Sequence, residues 1–233
     1  MSIFKFKQFE VDQSGCAMKI NTDGVLLAAS VSHQKPTRIL DIGTGTGVIA
    51  LMLAQRFNQA IIDAVEIDEE ASVAAEKNFK KSIFSNRLSV HNLSIENYNN
   101  TEPFDLIVSN PPFFVNDLKS AEVKKGIARH ADEGFFEMLI RKSSSLLNDT
   151  GSLWLIIPVK QADHVIDLAS KYEFFLTEKI NIHSDQDKPT FRQMICLSKV
   201  ELNCVESDFY IYKSFKNHTQ EYKALLKEFF LSF

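Results

Sequence analysis

The sequence predicts a doubly wound α/β fold, with a mainly parallel sheet, helices on both faces and a C-terminal antiparallel hairpin. Short β-branched runs alternate with helical patterns through most of the 233 residues. Glycine, proline and asparagine clusters mark junctions between them. Two late β-rich runs, residues 173–183 and 191–200, flank a polar turn, which predicts the hairpin.

Each element follows from its own stretch of sequence. Residues 38–42 are predicted to form a buried strand that runs into a glycine-rich turn, and residues 48–57 a helix with regularly spaced apolar positions. The strand–helix pattern repeats at residues 60–66 and 69–81. The other predicted elements are strands at 88–93, 104–109 and 152–157 and helices at 134–147 and 161–171.

The composition limits the compartment and the partners. Lys and Arg number 26 against 30 Asp and Glu, a net charge of −4, which excludes a wholly basic nucleic-acid-binding surface but permits a local basic patch. Cys16, Cys196 and Cys204 lack metal-ligand spacing, so we expect a reducing compartment and no metal site. No apolar run approaches the ~20 residues of a membrane span. We therefore expect a cytoplasmic protein without a membrane partner. We also expect a monomer, although none of these features bears on the oligomeric state.

The segment Asp41-Ile42-Gly43-Thr44-Gly45-Thr46-Gly47 lies where a strand turns into a helix, and Glu66 ends the next strand. Glycines at these positions permit a tight turn and a close approach of backbone N–H groups to a ligand. The carboxylate of Glu66 can accept hydrogen bonds from both hydroxyls of a ribose. Together, the loop and the acid predict a nucleoside-bearing cofactor.

The spacing of this loop bears on which cofactor binds. It is G-x-G-x-G, not the G-x-G-x-x-G arrangement that places a pyrophosphate at a helix N-terminus. Asp41 adds a negative charge that repels a pyrophosphate and can accept a hydrogen bond from an amino-acid ammonium. These features favour S-adenosylmethionine (SAM), which has a cationic sulfonium and a zwitterionic tail. Dinucleotide binding is the alternative.

The tetrad Asn110-Pro111-Pro112-Phe113 follows the fourth strand, at the edge where ligands bind in open α/β sheets. The exocyclic amine of a base is a poor nucleophile because its lone pair is conjugated with the ring. The Asn110 side-chain carbonyl and the Pro111 backbone carbonyl can each accept one of its N–H bonds, which favours attack by the lone pair on a methyl group. Phe113 can stack on the base. The tetrad therefore predicts the catalytic site of an amino-methyltransferase.

Two sets of motifs resemble known families. The glycine loop, Glu66 and the Asn-Pro-Pro-Phe tetrad resemble the class I SAM-dependent amino-methyltransferases. Residues 16–27, 128–130 and 219–222 resemble the bacterial tRNA1(Val) (adenine(37)-N6)-methyltransferase family. The resemblance implies a Rossmann-like class I methyltransferase with a mainly parallel seven-stranded sheet. It also implies methylation of the N6 amine of adenine 37, in the anticodon loop of a valine tRNA.

The same resemblance extends the cofactor site. It implies that Thr22 and Asp23 lie over the methionine end of SAM and that Lys19 lies near the mouth of the pocket. Many methyltransferases end the third strand with an acid that binds the adenine amine of SAM, whereas this chain has Ser94. The complete predicted cofactor-binding set is Thr22, Asp23, Asp41, Gly43, Thr44, Gly45, Gly47, Glu66, Ile67, Ser94 and Asn110.

We expect three parts along the chain: residues 1–35 as an N-terminal extension that forms part of the cofactor pocket, 36–200 as the methyltransferase core, and 201–233 as a C-terminal extension packed on it. Residues 119–130 are basic, weakly periodic and predicted to form a loop that contacts RNA. The predicted substrate-binding residues are Lys19, Phe113, Phe114, Lys119, Lys124, Lys125, Arg129 and His130. A second basic group is open between RNA contact and ordinary surface: Lys213, Lys216, Lys223 and Lys227.

Other functions stay open at this point. The same chemistry can act on another amine: N2 of an rRNA guanine, N6 of a DNA adenine or the side-chain amide of a protein glutamine. A second alternative is a catalytically idle RNA-binding module, although the intact Asp41, Glu66 and Asn110 argue against it. A third is an NAD-dependent oxidoreductase, which the loop spacing opposes.

Overall fold

The computed structural model describes residues 3–14, 16, 19–112 and 122–233, with side chains for all of these except residues 122–133. The helices are α1 (Thr22–Ser30), α2 (Val48–Arg56), α3 (Glu69–Lys81), α4 (Glu122–Leu146), α5 (Val159–Ser170) and α6 (Gln220–Leu226). The strands are β1 (Ile3–Lys5), β2 (Glu10–Asp12), β3 (Arg38–Ile42), β4 (Ile61–Glu66), β5 (Leu88–Asn92), β6 (Phe104–Ser109), β7 (Leu147–Pro158), β8 (Phe175–His183), β9 (Thr190–Ser198), β10 (Val205–Tyr210), β11 (Tyr212–Ser214) and β12 (Asn217–His218).

Eight strands form the central sheet in the order β10-β8-β9-β7-β6-β3-β4-β5. Neighbouring strands run parallel except where β9 pairs with β7 and β8. At the centre, Asp41 of β3 pairs with Ala64 of β4 and with Val108 of β6. The ends of the parallel strands therefore meet along one side of the sheet, which we call the carboxyl edge. The start of β9 also lies there, because Arg192 pairs with Pro158 at the end of β7.

The predicted fold class is confirmed, and the sheet has one strand more than the seven expected. The predicted hairpin is the antiparallel pair β8–β9. The additional strand is β10, which pairs parallel to β8 from Val205 to Tyr210. Most residues of β10 are exposed, so this edge strand lacks the apolar run that would reveal it in the sequence.

The prediction of a loop at residues 119–130 is wrong from Glu122 onward. Helix α4 begins at Glu122 and continues through the helix predicted at residues 134–147. Glu, Lys, Ala and Arg are frequent between residues 122 and 133. These residue types favour a helix even where apolar periodicity is weak.

Apolar residues form a core on each face of the sheet. On one face, Ile39 and Trp154 pack with buried residues of α1, α2, α3 and α6. On the other, Leu40 and Leu155 pack with α4 and α5. Successive strand residues thus enter opposite cores, as expected for a sheet that is covered on both sides.

The terminal segments pack against this framework. Phe6 forms an antiparallel bridge with Phe230, and the Lys7 amide donates to the Phe229 carbonyl at 2.8 Å. β11 and β12 form a short hairpin at the carboxyl edge, where the Tyr212 amide donates to the Ser184 carbonyl at 2.8 Å. The division of the chain near residues 35 and 200 stays a prediction, although β10 lies in the central sheet and not outside it.

Candidate active site

The glycine loop joins β3 to α2 at the carboxyl edge. The amides of Gly43 and Thr44 both donate to the carbonyl of Val65, at 2.8 and 3.2 Å, and so tie the loop to β4. Gly43, Gly45 and Gly47 have φ values of 73°, 56° and 86°. Residues with a Cβ are strained in this left-handed region, so the three glycines make the turn possible.

Gly47 is the loop glycine that we expect to tolerate substitution least. A Cβ there would lie 2.5 Å from Cε1 of Phe79, whereas a Cβ at Gly43 would meet nothing within 4 Å. Gly47→Ala should therefore lower the free energy of unfolding by about 2–4 kcal/mol, since backbone strain and a core clash add. Gly43→Ala is the matched control, with a cost of about 1–2 kcal/mol from the backbone alone. Thermal unfolding measures both, and equal losses would contradict the role of the Phe79 contact.

Asp41 is buried beneath this loop. Its Oδ2 accepts a hydrogen bond from the Thr44 hydroxyl at 2.6 Å. Burial raises the pKa of the Asp41 carboxyl to about 7. The carboxyl therefore supports the loop from within, and its predicted contact with a cofactor ammonium stays a prediction.

Glu66 accepts two backbone hydrogen bonds at the end of β4. The Gly45 amide donates to Oε2 at 2.8 Å, and the Asp68 amide donates to Oε1 at 2.9 Å. Each carboxylate oxygen keeps further acceptor capacity. Glu66 is thus a largely buried acid, 9% exposed, that is fixed in position and lines a cavity.

Two cavities meet at Asn110, which lines both. The larger has a volume of about 350 Å³ and extends past the ends of β4, β5 and β6. The predicted site residues in its wall are Gly43, Gly45, Glu66, Ile67, Ser94, Asn110, Pro111 and Pro112. The smaller has a volume of about 40 Å³ and lies against the first turns of α1 and α2. The predicted site residues in its wall are Lys19, Gly43, Thr44, Gly45 and Asn110.

The two ends of the Asn110 side-chain amide differ in their pairing. Nδ2 donates to Oδ1 of Asn21 at 3.4 Å. Oδ1 is shielded from solvent and accepts no hydrogen bond from any described residue. A buried acceptor without a partner costs ~1–3 kcal/mol. This oxygen is therefore suited to accept an N–H bond from a ligand.

Other predicted site residues lie elsewhere. Thr22, Asp23 and Gly47 line neither cavity, and Oδ2 of Asp23 instead pairs with Nε of Arg192 at 2.8 Å. Phe113, Phe114 and Lys119 lie outside the described residues. Four more fall in the first turns of α4, where side chains are not described: Lys124, Lys125, Arg129 and His130.

Four residues at the site were missed by the sequence motifs. Asp68 and Phe135 line the larger cavity, Asn21 contacts Asn110, and Arg192 pairs with Asp23. Asp68 and Asn21 carry a local signal, because each caps a helix: the Ala71 amide donates to Asp68 at 2.8 Å and the Gly24 amide donates to Asn21 at 2.9 Å. Asn21 is 89 residues from Asn110 and Arg192 is 169 residues from Asp23. No local pattern connects residues so far apart.

The residues around the cavities fit SAM. Glu66 supplies acceptors for ribose hydroxyls, and Ile67, 72% exposed in the cavity wall, offers an apolar surface for a base. The smaller cavity places Lys19 and the glycine loop where a zwitterionic tail can bind. In the described part of the chain, no group of three His, Cys, Asp or Glu is placed to hold a metal ion. Within the same ranges, no helix is long and apolar enough to cross a membrane.

Comparison with protein families gives a match over most of the chain. The model of the methyltransferase small domain family matches residues 16–175. A protein from Pedobacter heparinus named tRNA1(Val) (adenine(37)-N6)-methyltransferase is 52% identical over 99% of this chain and 98% of its own length. Proteins with the same name from Trichodesmium erythraeum and Parabacteroides distasonis are 42% and 40% identical, over 99% and 98% of this chain and 98% and 97% of their own lengths.

Solved structures show the same fold at lower identity. A predicted O-methyltransferase from Agrobacterium tumefaciens superposes with a TM-score of 0.72 at 20% identity, over 89% of this chain and 96% of its own. A methyltransferase from Pyrococcus furiosus gives a TM-score of 0.57 at 20% identity, over 81% and 91%. The fold and the site thus agree with the full-length sequence matches. The chain belongs to the tRNA1(Val) (adenine(37)-N6)-methyltransferase family, within the methyltransferase small domain proteins.

Proposed function

We propose that this protein transfers a methyl group from SAM to the N6 amine of adenine 37 in tRNA1(Val). The names of its full-length relatives supply the substrate. The observation in this chain that carries the proposal is the unpaired side-chain oxygen of Asn110, at the junction of two cavities that suit SAM. A buried acceptor at that point matches the need to bind an exocyclic amine beside a methyl donor.

The two cavities divide the cofactor between them. Glu66 would hold the ribose hydroxyls, Ile67 and Ser94 would flank the adenine in the larger cavity, and the glycine loop would hold the amino-acid end in the smaller one. Thr22 and Asp23 contribute to the cofactor site from the first turn of α1. Arg192 holds the carboxylate of Asp23 there through a hydrogen bond from its Nε. Asp41 contributes by supporting the loop through Thr44.

The catalytic residues act by positioning the amine. The oxygen of Asn110 and the backbone carbonyl of Pro111 accept its two N–H bonds, and Pro111 and Pro112 restrict the backbone that carries these acceptors. Phe113 stacks on the base. SAM supplies the methyl group: the amine nitrogen bonds to that carbon, the carbon–sulfur bond breaks with its electron pair left on sulfur, and the amine proton passes to water. No side chain has to act as a strong base, because the amine proton becomes acidic on methylation.

RNA approaches from the carboxyl edge. A group of basic residues follows the tetrad in sequence and stays the first proposed contact: Lys119, Lys124, Lys125, Arg129 and His130. The β11–β12 hairpin gives a second surface at the same edge. Its tip carries Lys213 and Lys216 beside Phe215, whose side chain is 89% exposed. Lysines can contact phosphates and an exposed ring can stack on an unpaired base.

Lys213 and Lys216 provide a test of the hairpin surface. Replacing both with alanine should raise the KM for tRNA about three- to tenfold and reduce its dependence on salt, since each phosphate contact releases counterions. Methylation rates over a range of tRNA and salt concentrations measure this. Lys35 and Lys171 precede β3 and β8 and so lie at the opposite edge of the sheet. Their double alanine variant is the charge-matched control, and equal effects in the two variants would remove the hairpin from the RNA surface.

A panel of substrates tests the proposed function against its alternatives. The purified protein is incubated with methyl-labelled SAM and, separately, with unmodified tRNA, rRNA, DNA and a protein mixture. We expect label in tRNA alone, recovered as N6-methyladenosine. Label in rRNA guanine, DNA adenine or protein glutamine would replace the substrate, and calorimetric binding of NAD without binding of SAM would overturn the class of enzyme.

We also propose that the protein acts as a cytoplasmic monomer. Its cysteines are all free thiols, Cys16, Cys196 and Cys204, as a reducing compartment allows. Light scattering should give the 26.5 kDa mass of one chain. A mass of two chains or more would contradict the monomer.

A further inference from the structure

Asn21 lies in the segment 16–27, whose resemblance to the family assigns it no role, and it sits between the start of α1 and the catalytic tetrad. As the N-cap of α1, its Oδ1 accepts a hydrogen bond from the Gly24 amide at 2.9 Å. The same oxygen accepts from Nδ2 of Asn110 at 3.4 Å. One atom of Asn21 therefore binds both a helix terminus and the proposed catalytic amide.

The first turn of α1 is packed directly against Asn110. A Cβ built at Gly24 would lie 3.6 Å from Nδ2 of Asn110 and 3.5 Å from the Ile49 side chain, which leaves ordinary contact distances and no gap. The ion pair between Asp23 and Arg192 fixes the same turn to β9. Packing against Ile49 and the ion pair with Arg192 thus hold in place the turn that Asn21 caps.

A chain of donors and acceptors sets the direction of the Asn110 amide. The Gly24 amide can only donate, so it selects the oxygen of Asn21 as its partner. That oxygen can only accept, so it selects the NH2 end of Asn110. If Asn110 were flipped, two oxygens would face each other without a proton between them. The carbonyl of Asn110 is consequently left as the unpaired end.

We infer that Asn21 is a positioning residue for methyl transfer, because it holds the Asn110 amide with its oxygen available to the substrate amine. The inference rests on the proposed function. Without Asn21, the amide can rotate and present its own N–H groups to the amine, and two donors cannot pair. Asn21 also lines the smaller cavity, which we assign to SAM, and it acts on the substrate amine through Asn110. At saturating SAM, its removal should therefore lower kcat and leave the KM for tRNA unchanged.

Two substitutions separate this role from helix capping. Serine caps helices about as well as asparagine, but its hydroxyl both donates and accepts, so Asn21→Ser keeps the cap and loses the selection between the two ends of Asn110. An ionised aspartate has only acceptor oxygens, so Asn21→Asp keeps both the helix cap and the selection of the NH2 end of Asn110. We expect kcat in Asn21→Ser to fall about tenfold at saturating SAM and tRNA, with the Tm within about 2 °C of the wild type. Asn21→Asp should recover most of that loss.

Thr219 supplies a capping control at the start of α6, a helix that lines neither cavity. Its hydroxyl accepts from the Tyr222 amide at 3.1 Å and caps α6. Thr219→Ala should lower the Tm and leave kcat unchanged, because it removes this cap and the 2.6 Å hydrogen bond from the Thr219 hydroxyl to the Tyr210 carbonyl, and neither involves Asn110. A wild-type kcat in Asn21→Ser, or an equal loss in Asn21→Ser and Asn21→Asp, would overturn the inference while the proposed function stands. Wild-type protein that methylates no tRNA would contradict the proposed function, and the inference with it.

Discussion

Asn110→Ala is expected to lower kcat for tRNA methylation by roughly 10²–10³-fold, the effect of removing one preorganised acceptor from a reacting group. The structure supports a loss of this size because Oδ1 of Asn110 is buried and unpaired at the junction of the two cavities. Affinity for SAM should change little, since Glu66 and the glycine loop bind the rest of the cofactor. Single-turnover rates measure the first effect and calorimetry the second.

The rate and the SAM affinity of Asn110→Ala together show whether Asn110 acts in catalysis or in cofactor binding. Gln55 is a matched control, because its side-chain amide donates to the Glu228 carbonyl at 2.8 Å and lines neither cavity. Gln55→Ala should leave both the rate and the SAM affinity as they are in the wild type. Turnover that survives in folded Asn110→Ala would remove Asn110 from the mechanism, whereas loss of SAM binding would reassign it to the cofactor site.

Glu66→Gln is expected to weaken SAM binding by about 10–100-fold. The two oxygens of Glu66 accept from the amides of Gly45 and Asp68. A glutamine would place an NH2 group against one of these donors, which disturbs the loop and removes an acceptor for a ribose hydroxyl. Hydrogen bonds to charged groups contribute ~1.5–3 kcal/mol, which gives this range of Kd. Titration calorimetry with SAM measures it directly.

Glu178 provides the corresponding control. It is a partly buried acid on β8 whose Oε2 accepts from the Ser32 hydroxyl at 3.2 Å, and it lines neither cavity. Glu178→Gln should bind SAM with the wild-type Kd. If Glu66→Gln is folded and also binds SAM as the wild type does, the assignment of the ribose to Glu66 is incorrect.

The central part of the fold could be predicted because its sequence signals are local. β3, β4 and β6 are buried on both faces and appear as short apolar runs, and the glycine loop follows β3 directly. β10 could not be predicted, because an exposed edge strand does not need apolar residues. Helix α4 was predicted only in its second half, where Phe136 and Leu139 enter the core.

The residues of the candidate site also include some that the local sequence predicts and some that it does not. Glu66, Asn110 and the glycines follow directly from strand ends, so their grouping at the carboxyl edge could be predicted once the strands were assigned. Asn21 and Arg192 could not be assigned in this way, since each contacts a partner that only the folded chain brings near. The structure also places Asp41 beneath the loop, a distinction that depends on where the side chain points and not on its position in the motif.

The proposed activity stands or falls with the atom that is methylated, and that atom can be mapped in valine tRNA. Two transcripts of tRNA1(Val), one with adenine and one with guanine at position 37, are incubated with the protein and methyl-labelled SAM, digested, and analysed by mass spectrometry. We expect one N6-methyladenosine at position 37 of the first transcript and no label in the second. Equal label in both transcripts, or a methyl group at another atom or position, would contradict it.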